Sequence, residues 1–404
     1  MKERFPFFAN YSSNIPHAFQ TGFEQLLTGR PLSINMEDIM NKRTPLYERH
    51  VTLNARVAPF AGWEMPIQYE GILAEHQHTR GKASLFDTCH MGEFELSGPS
   101  AESDLERLLT QSVSSIKTGQ CRYGFMLQEN GGIIDDLTCY RRGSDHFVLV
   151  VNAGTLDNCR EWILSHITSE TTFRDLSSET AKLDIQGPVS REATESALGI
   201  ALPDLKFFRF DEITIGGVSC LVSRTGYTGE WGYELYFPAE HAGDIWDRLL
   251  AGGVIKPAGL GARDTLRLEV GYPLYGHELS INRTPVAATR GRFMDMSKDF
   301  IGKDAVSHEL ETGVTHYLAG LQLEGRRAAR ASDKVWHEGR EAGEITSGSL
   351  APSLGVAVAM AYLEKDLCEP GNTLEINMRG KTLRAVTTQL PFYKHGTARG
   401  LNPG

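Results

Sequence analysis

Gly131-Gly132-Ile133-Ile134-Asp135-Asp136-Leu137 sets two adjacent carboxylates inside what otherwise reads as a β-strand. Asn130 and the two glycines before it are turn chemistry, because a tight hairpin turn needs residues that tolerate positive φ. Residues 123–127 then read as the strand entering the turn, and 133–140 as the strand leaving it. Aspartate is depleted from strands, being short, polar and poorly suited to a pleated surface. Successive strand side chains point to opposite faces, so one of Asp135 and Asp136 faces inward and the other outward. An inward carboxylate has to be hydrogen-bonded or charge-paired, and its pKa is displaced. Such groups cluster at functional sites. The structural alternative is that one Asp starts a bulge or caps a neighbouring turn.

Two more segments carry chemistry. Arg224-Thr225-Gly226-Tyr227-Thr228-Gly229-Glu230-Trp231-Gly232-Tyr233-Glu234-Leu235-Tyr236 combines glycines, aromatics and acids. The glycines permit tight turns and close backbone approach, and the aromatics offer flat faces for a ring. Gly259-Leu260-Gly261-Ala262-Arg263-Asp264-Thr265-Leu266-Arg267 reads as a helix after its glycines. Arg263 and Arg267 are four apart and so share a face. Arginine suits a carboxylate through its planar fork. The plain readings are a structural turn and an ordinary amphipathic helix.

Around these segments, residues 70–80, 101–110, 157–167, 190–198 and 239–251 read as helices, and 121–152 as a β-meander with a buried strand at 147–151. Residues 183–188 read as strand then turn, and 212–224 as strands. Segregated strands and helices favour α+β over a regular parallel α/β fold. From about residue 315 short strands with Gly and Pro turns take over, which points to a small β-barrel.

At 404 residues the chain exceeds one ordinary core, so two or three domains are expected. The expected division is an N-terminal extension at 1–42, two intertwined α+β domains at 43–310, and a C-terminal β-barrel at 311–404. A net charge of −10 gives no general attraction for nucleic acid or an anionic membrane. Cys89, Cys121, Cys139, Cys159, Cys220 and Cys368 are scattered without a C-x-x-C pair, as suits reduced thiols in a reducing, cytoplasmic compartment. No apolar run approaches the ~20 residues of a membrane span. Residues 1–42 lack a signal-peptide core, and their Glu3, Glu24, Glu37 and Asp38 are unlike an acid-poor presequence. His76 and His78, two apart on a helix, point in nearly opposite directions, so no metal site is expected there. Gly380-Lys381-Thr382 lacks the first glycine of a phosphate loop, having Glu375 in that position.

Taken together, the three segments resemble the T-protein family of the glycine cleavage system, the folate-dependent aminomethyltransferases. Further blocks share the resemblance: Arg43-Thr44-Pro45-Leu46-Tyr47, Phe60-Ala61-Gly62-Trp63-Glu64-Met65-Pro66 and Phe86-Asp87-Thr88-Cys89-His90-Met91-Gly92-Glu93-Phe94. Tyr275-Gly276-His277-Glu278, Ile345-Thr346-Ser347-Gly348 and Pro391-Phe392-Tyr393 continue it to about residue 400. The resemblance implies a ring-like arrangement of three domains with folate near the centre. It implies a transferase of glycine catabolism and one-carbon metabolism, moving the methylene of an aminomethyl group from the lipoyl arm of H-protein to tetrahydrofolate with release of ammonia. Tetrahydrofolate and lipoylated H-protein are the implied cofactor and partner. Asp136 takes the catalytic place, and Tyr123, Tyr227, Glu234, Arg263 and Arg399 the folate contacts. Two other readings stay open: a folate-dependent demethylase of a small methylated substrate, and a non-catalytic folate-binding iron–sulfur assembly factor. The latter's Lys-Gly-Cys-Tyr-type motif is missing. One stretch departs from the family. After Thr284-Pro285, Ala287 stands where Glu is expected and Thr289-Arg290 where Gly-Leu is expected. Arg290 and Arg292 in this loop are the expected basic surface for H-protein, since opposite potentials speed encounter.

Overall fold

The computed structural model describes residues 41–378 and 381–400. Most of the N-terminal extension expected at 1–42, and Gly380 of the rejected phosphate loop, lie outside them. Lys42 and Arg43 pair in parallel with Trp63 and Glu64 of a three-stranded sheet.

Two larger sheets carry the α+β part. One has five strands, ordered Gln120–Leu127, Ile133–Arg141, His146–Val151, Gly92–Ser97 and Thr172–Asp175. The other has six, ordered Phe210–Ile215, Val218–Ser223, Gly232–Pro238, Thr180–Gln186, Ala83–Asp87 and Ile255–Pro257. Helices Ala101–Leu108 and Leu156–His166 bury Leu105, Leu108, Cys159 and Ile163 on the five-stranded sheet. A fully buried Leu or Ile contributes about 1.5–3 kcal/mol, so this apolar stripe fixes the sheet's inner face. Helix Ala242–Ala251 does the same for the six-stranded sheet through Ile245, Trp246 and Leu249. The helix expected at 70–80 runs Ile72–Gly81.

From His316 onward six strands close into a barrel, in which His316–Leu323 pairs with both Val356–Glu364 and Lys381–Thr388. Closure removes the exposed edges of a sheet, and the interior is filled by small and branched residues such as Ala357, Ala359, Ala361, Leu374 and Ile376.

Within Lys42–Gly400 each of these three bodies packs on the other two, which is the ring-like arrangement. Tyr140 of the five-stranded sheet meets Ser223 and Tyr236 of the six-stranded one, at 3.2 and 3.1 Å. Helix Leu260–Glu269 reaches the barrel through Arg267 to Ser347 and through Glu269 to Ser353. Leu318 of the barrel donates its N–H to the Ala287 carbonyl, and Val286 and Ala288 pack on Phe125, Leu127 and Ile133 of the five-stranded sheet. After the barrel the chain returns across the 224–234 segment: Ala398 N–H donates to the Gly229 carbonyl at 3.0 Å, and Thr397 Oγ1 accepts the Trp231 N–H at 2.7 Å. Gly396 lies so close to Gly229 that a Cβ there would stand 2.3 Å from its carbonyl oxygen.

Candidate active site

The hairpin forms as the turn chemistry requires. Gly131 has φ +83°, Asn130 Oδ1 accepts the Gly132 N–H, and a Cβ on Gly132 would stand 2.1 Å from the Ile281 carbonyl oxygen. The strands pair Phe125 with Asp136 and Met126 with Asp135, and the register then slips so that Leu127 faces Ile133. A bulge therefore sits just before the acid pair. Strict alternation does not hold for the pair: Asp135 is fully buried and Asp136 half-buried, and beside the bulge both carboxyls reach the same Asn152 carboxamide.

Both acids are held by groups from elsewhere. Asp136 Oδ2 accepts the Tyr123 hydroxyl at 2.9 Å, diagonally across the hairpin, since Tyr123 itself pairs with Thr138. The Asn152 carboxamide nitrogen lies 2.8 Å from Asp135 Oδ1, 2.9 Å from Asp136 Oδ1 and 3.0 Å from the Asp136 carbonyl oxygen. Asn152 backbone N–H donates to Asp135 Oδ2 at 2.9 Å. Burial raises the pKa of both carboxyls above the ordinary range, and the neighbouring Asp136 raises Asp135 further. Hydrogen bonds from Tyr123 and Asn152, and the charge of Arg290, pull Asp136 back. The two titrate as a pair. Burial and Asp136 push the Tyr123 phenol well above its usual range, so it remains a neutral donor.

The second group stands on the six-stranded sheet. Glu234 is buried; its Oε1 accepts Lys182 Nζ at 2.6 Å, and its Oε2 accepts the hydroxyls of Thr225 and Tyr236. Burial would raise this carboxyl, but the charge and hydrogen bond of Lys182, with the Thr225 hydroxyl and the Arg263 charge, together hold it low. Arg263 pairs with buried Asp184 and lies 5.0 Å from the centre of the Tyr227 ring. The Tyr227 hydroxyl donates to the Pro273 carbonyl, and its ring stands 5.8 Å from that of Tyr272. Burial raises its pKa, and the charges of Arg267, Asp136, Glu278 and Arg263 all act on it. Arg267, on the same helix as Arg263, is instead buried against Glu278 and Ser347. The hollows lined by Arg49, Trp246 and Leu250 and by Gln322, Arg384 and Thr387 contain none of these residues.

Arg399 is exposed, and with Arg290 and Arg292 it acts on the Tyr272 hydroxyl. The divergent loop departs from expectation. Arg290 is not a solvated surface residue: it is half-buried, donates to the Gly271 carbonyl, and carries its charge close enough to act on Tyr123 and Asp136. The loop is packed into the wall of the site by Val286 and Ala288 and by Phe293, whose ring lies 4.8 Å edge-on to Tyr123. Of the two arginines Arg292 is the exposed one, over the Phe293 ring. His76 and His78 do diverge: the first meets Thr265 and Ser353, the second the Val254 carbonyl.

Asn152, Lys182, Asp184 and Phe293 were not among the residues singled out in the sequence. An Asn directly after a buried apolar strand, and a Lys and an Asp inside the strand 180–186, were the available signals, since such residues enter a core only with partners.

An acid pair with raised pKa values, held in place by neutral donors in an α+β frame joined to a small barrel, marks a candidate active site. Residues 46–298 match the family described as GCVT N-terminal domain, and 317–394 that described as glycine cleavage T-protein C-terminal barrel domain. Similar proteins include an aminomethyltransferase of Desulforamulus reducens, 42% identical over 87% of this chain and 98% of the relative. One from Desulfitobacterium hafniense is 43% identical over the same shares. The crystal structure of glycine cleavage system aminomethyltransferase T from Bartonella henselae superposes with a TM-score of 0.84 at 32% identity, covering 88% of this chain and 99% of that one. The chain belongs to the glycine cleavage T-protein family. The demethylase and iron–sulfur readings are not favoured by these relatives. Among the described residues no helix is long and apolar enough to cross a membrane.

Proposed function

We propose that this chain is the aminomethyltransferase of a glycine cleavage system, passing the methylene of an aminomethyl group on the lipoyl arm of H-protein to tetrahydrofolate and releasing ammonia. The observation that carries this reading is the half-buried Asp136 carboxylate, held between Tyr123 and Asn152, in a chain whose relatives are aminomethyltransferases. Tetrahydrofolate supplies the amine nitrogens that take up the carbon. The protein supplies placement, which can be worth up to about 7–11 kcal/mol, and charge control. Asp136 accepts a proton and steadies positive charge on the carbon in transit. Tyr123, Tyr227, Glu234, Arg263 and Arg399 are the proposed folate contacts. The fit is chemical: flat rings at Tyr227 and Tyr272, a guanidinium at Arg263 and acids at Asp136 and Glu234 suit a polar bicyclic ring with an anionic tail. The domain division at 1–42, 43–310 and 311–404, and a cytoplasmic setting for the unpaired cysteine pattern, belong to the same proposal. The test is ammonia release from aminomethylated H-protein. Release that needs both this protein and tetrahydrofolate is expected; release that ignores either would overturn the reading.

Tetrahydrofolate is expected to raise the melting temperature, since a ligand bound only by the native state at 100 Kd adds about 2.7 kcal/mol. Arg263→Ala should shrink that ligand-induced shift. The shift, rather than the melting temperature itself, is the readout, because the change also strands buried Asp184 without its partner. An Arg263 variant with the full shift would remove it from the folate contacts.

The two loop arginines are expected to separate in function. Arg292→Glu should raise KM for H-protein in a salt-dependent way, since exposed charges are screened beyond about 10 Å at 0.1 M salt. Arg290→Glu should instead lower kcat, because its charge bears on Asp136. Equal effects of both on KM alone would return Arg290 to the surface role.

A further inference from the structure

Asn152 is the only residue bonded to both acids of the pair among the described residues. It follows the buried strand His146–Val151 and opens the short turn Ala153–Thr155. Thr155 fixes its backbone, donating both N–H and Oγ1–H to the Asn152 carbonyl, at 3.2 and 3.0 Å. Three oxygens surround one end of its carboxamide, so only the nitrogen can face them. Asp135 makes that orientation obligatory, since its two oxygens accept the backbone and side-chain N–H groups of Asn152 as a two-point clamp. The carboxamide then takes one oxygen of Asp136 while Tyr123 takes the other.

We infer that Asn152 is a positioning residue for methylene transfer: its carboxamide, oriented by the buried Asp135, holds the Asp136 carboxylate towards the substrate, and Asp135 acts through it without touching substrate. This rests on the role proposed above for Asp136. Groups facing Asp136 are Tyr123 from the paired strand, Asn152 from the strand end, Arg290 from the loop and its neighbour Asp135, with Tyr227, Tyr275 and Cys159 at longer range. Asp135 is faced by Asn152, by Thr155, by the Cys159 thiol and, at longer range, by Tyr275. Burial and Asp135 keep that thiol protonated, so it adds no charge. Without the carboxamide, Asp136 loses donors to its charged form and holds its proton more tightly.

The test uses the full chain with Asn152→Ala, Asn152→Ser, Asp136→Asn and the Asp136→Asn/Asn152→Ala double variant. For each, kcat for ammonia release is measured across pH, along with tetrahydrofolate binding and thermal melting. Asn152→Ala is expected to lower kcat roughly 100-fold, the scale of an ångström misplacement, with folate binding little changed. The acid limb of its profile should move to higher pH. Asn152→Ser, which keeps one short donor, should fall between, and stands in if the alanine variant does not fold. The double variant should be no slower than Asp136→Asn alone, because the two act as one unit. A parental kcat and pH profile in Asn152→Ala, or full additivity in the double variant, would overturn the inference. An active Asp136→Asn would instead sink the reading of Asp136 on which it rests.

Discussion

Asp136→Asn should slow methylene transfer by roughly 100- to 10,000-fold, the span of a positioned general acid–base group, while the protein keeps its fold and its affinity for tetrahydrofolate. The amide is nearly the same shape and still accepts the Tyr123 hydroxyl that Asp136 accepts at 2.9 Å. What it loses is the negative charge and the capacity to take a proton. Asp135→Asn should be milder, because Asp135 is fully buried and its oxygens are already engaged by Asn152. In the parent, transfer should climb as pH rises through an apparent pKa above the ordinary carboxylate range, since Asp136 must be ionised to act and burial opposes that. Stopped-flow or coupled ammonia assays across pH check both statements. A parental rate in Asp136→Asn, or an acid limb at the value of a free carboxylate, would contradict them.

Arg267→Met is expected to cost about 3–5 kcal/mol of stability, the usual penalty for stranding one member of a buried ion pair. Arg267 is 1% exposed; it donates to Glu278 Oε2 at 2.9 Å, to Asp264 at 2.8 Å, and to Ser347 of the barrel at 2.7 Å. Glu278 is wholly buried, and burial alone would raise its pKa; the Arg267 charge, the largest of the opposing effects, together with His277 and the hydroxyls of Thr346 and Ser347, holds it low. In the parent, this pair therefore contributes stability above the unfolded carboxylate pKa that is lost as pH falls through the folded one. The sign reverses in the variant. There the folded carboxyl is raised, so its deficit should shrink on acidification. Adding Glu278→Leu should recover part of the loss, because an apolar pair strands no charge. Urea denaturation at two pH values measures all of this, and a single variant as stable as the parent would refute the pair's role.

The features readable in the sequence are those set by local chemistry. The Asn-Gly-Gly turn and the acid pair sit in consecutive residues, and Arg263 and Arg267 share a helix by spacing alone. What those arginines meet was not readable: Asp184 lies 79 positions from Arg263, and Ser347 lies 80 from Arg267. Alternation required one inward acid without saying which. Asp135 is the fully buried one, but Asn152, arriving from 16 residues beyond Asp136, bonds both, an arrangement that local pattern does not carry. Arg290 looked solvated because loops with charged residues usually are. The loop packs inward, with Phe293 on Tyr123, a contact between residues 170 positions apart (293 − 123) that no local pattern carries. The barrel was legible as short strands, but its closure depends on pairing His316–Leu323 with Lys381–Thr388, at opposite ends of the segment.

The most direct test follows one carbon. H-protein is loaded with an aminomethyl arm carrying carbon-13 and mixed with this protein and excess tetrahydrofolate, and the label is tracked by NMR through a single turnover. The account predicts that the label leaves the arm and appears in the methylene of the folate, with one ammonia released per label and none of this in Asp136→Asn on the same timescale. Label that stays on the arm, or that emerges as free formaldehyde at the rate seen without protein, would contradict it.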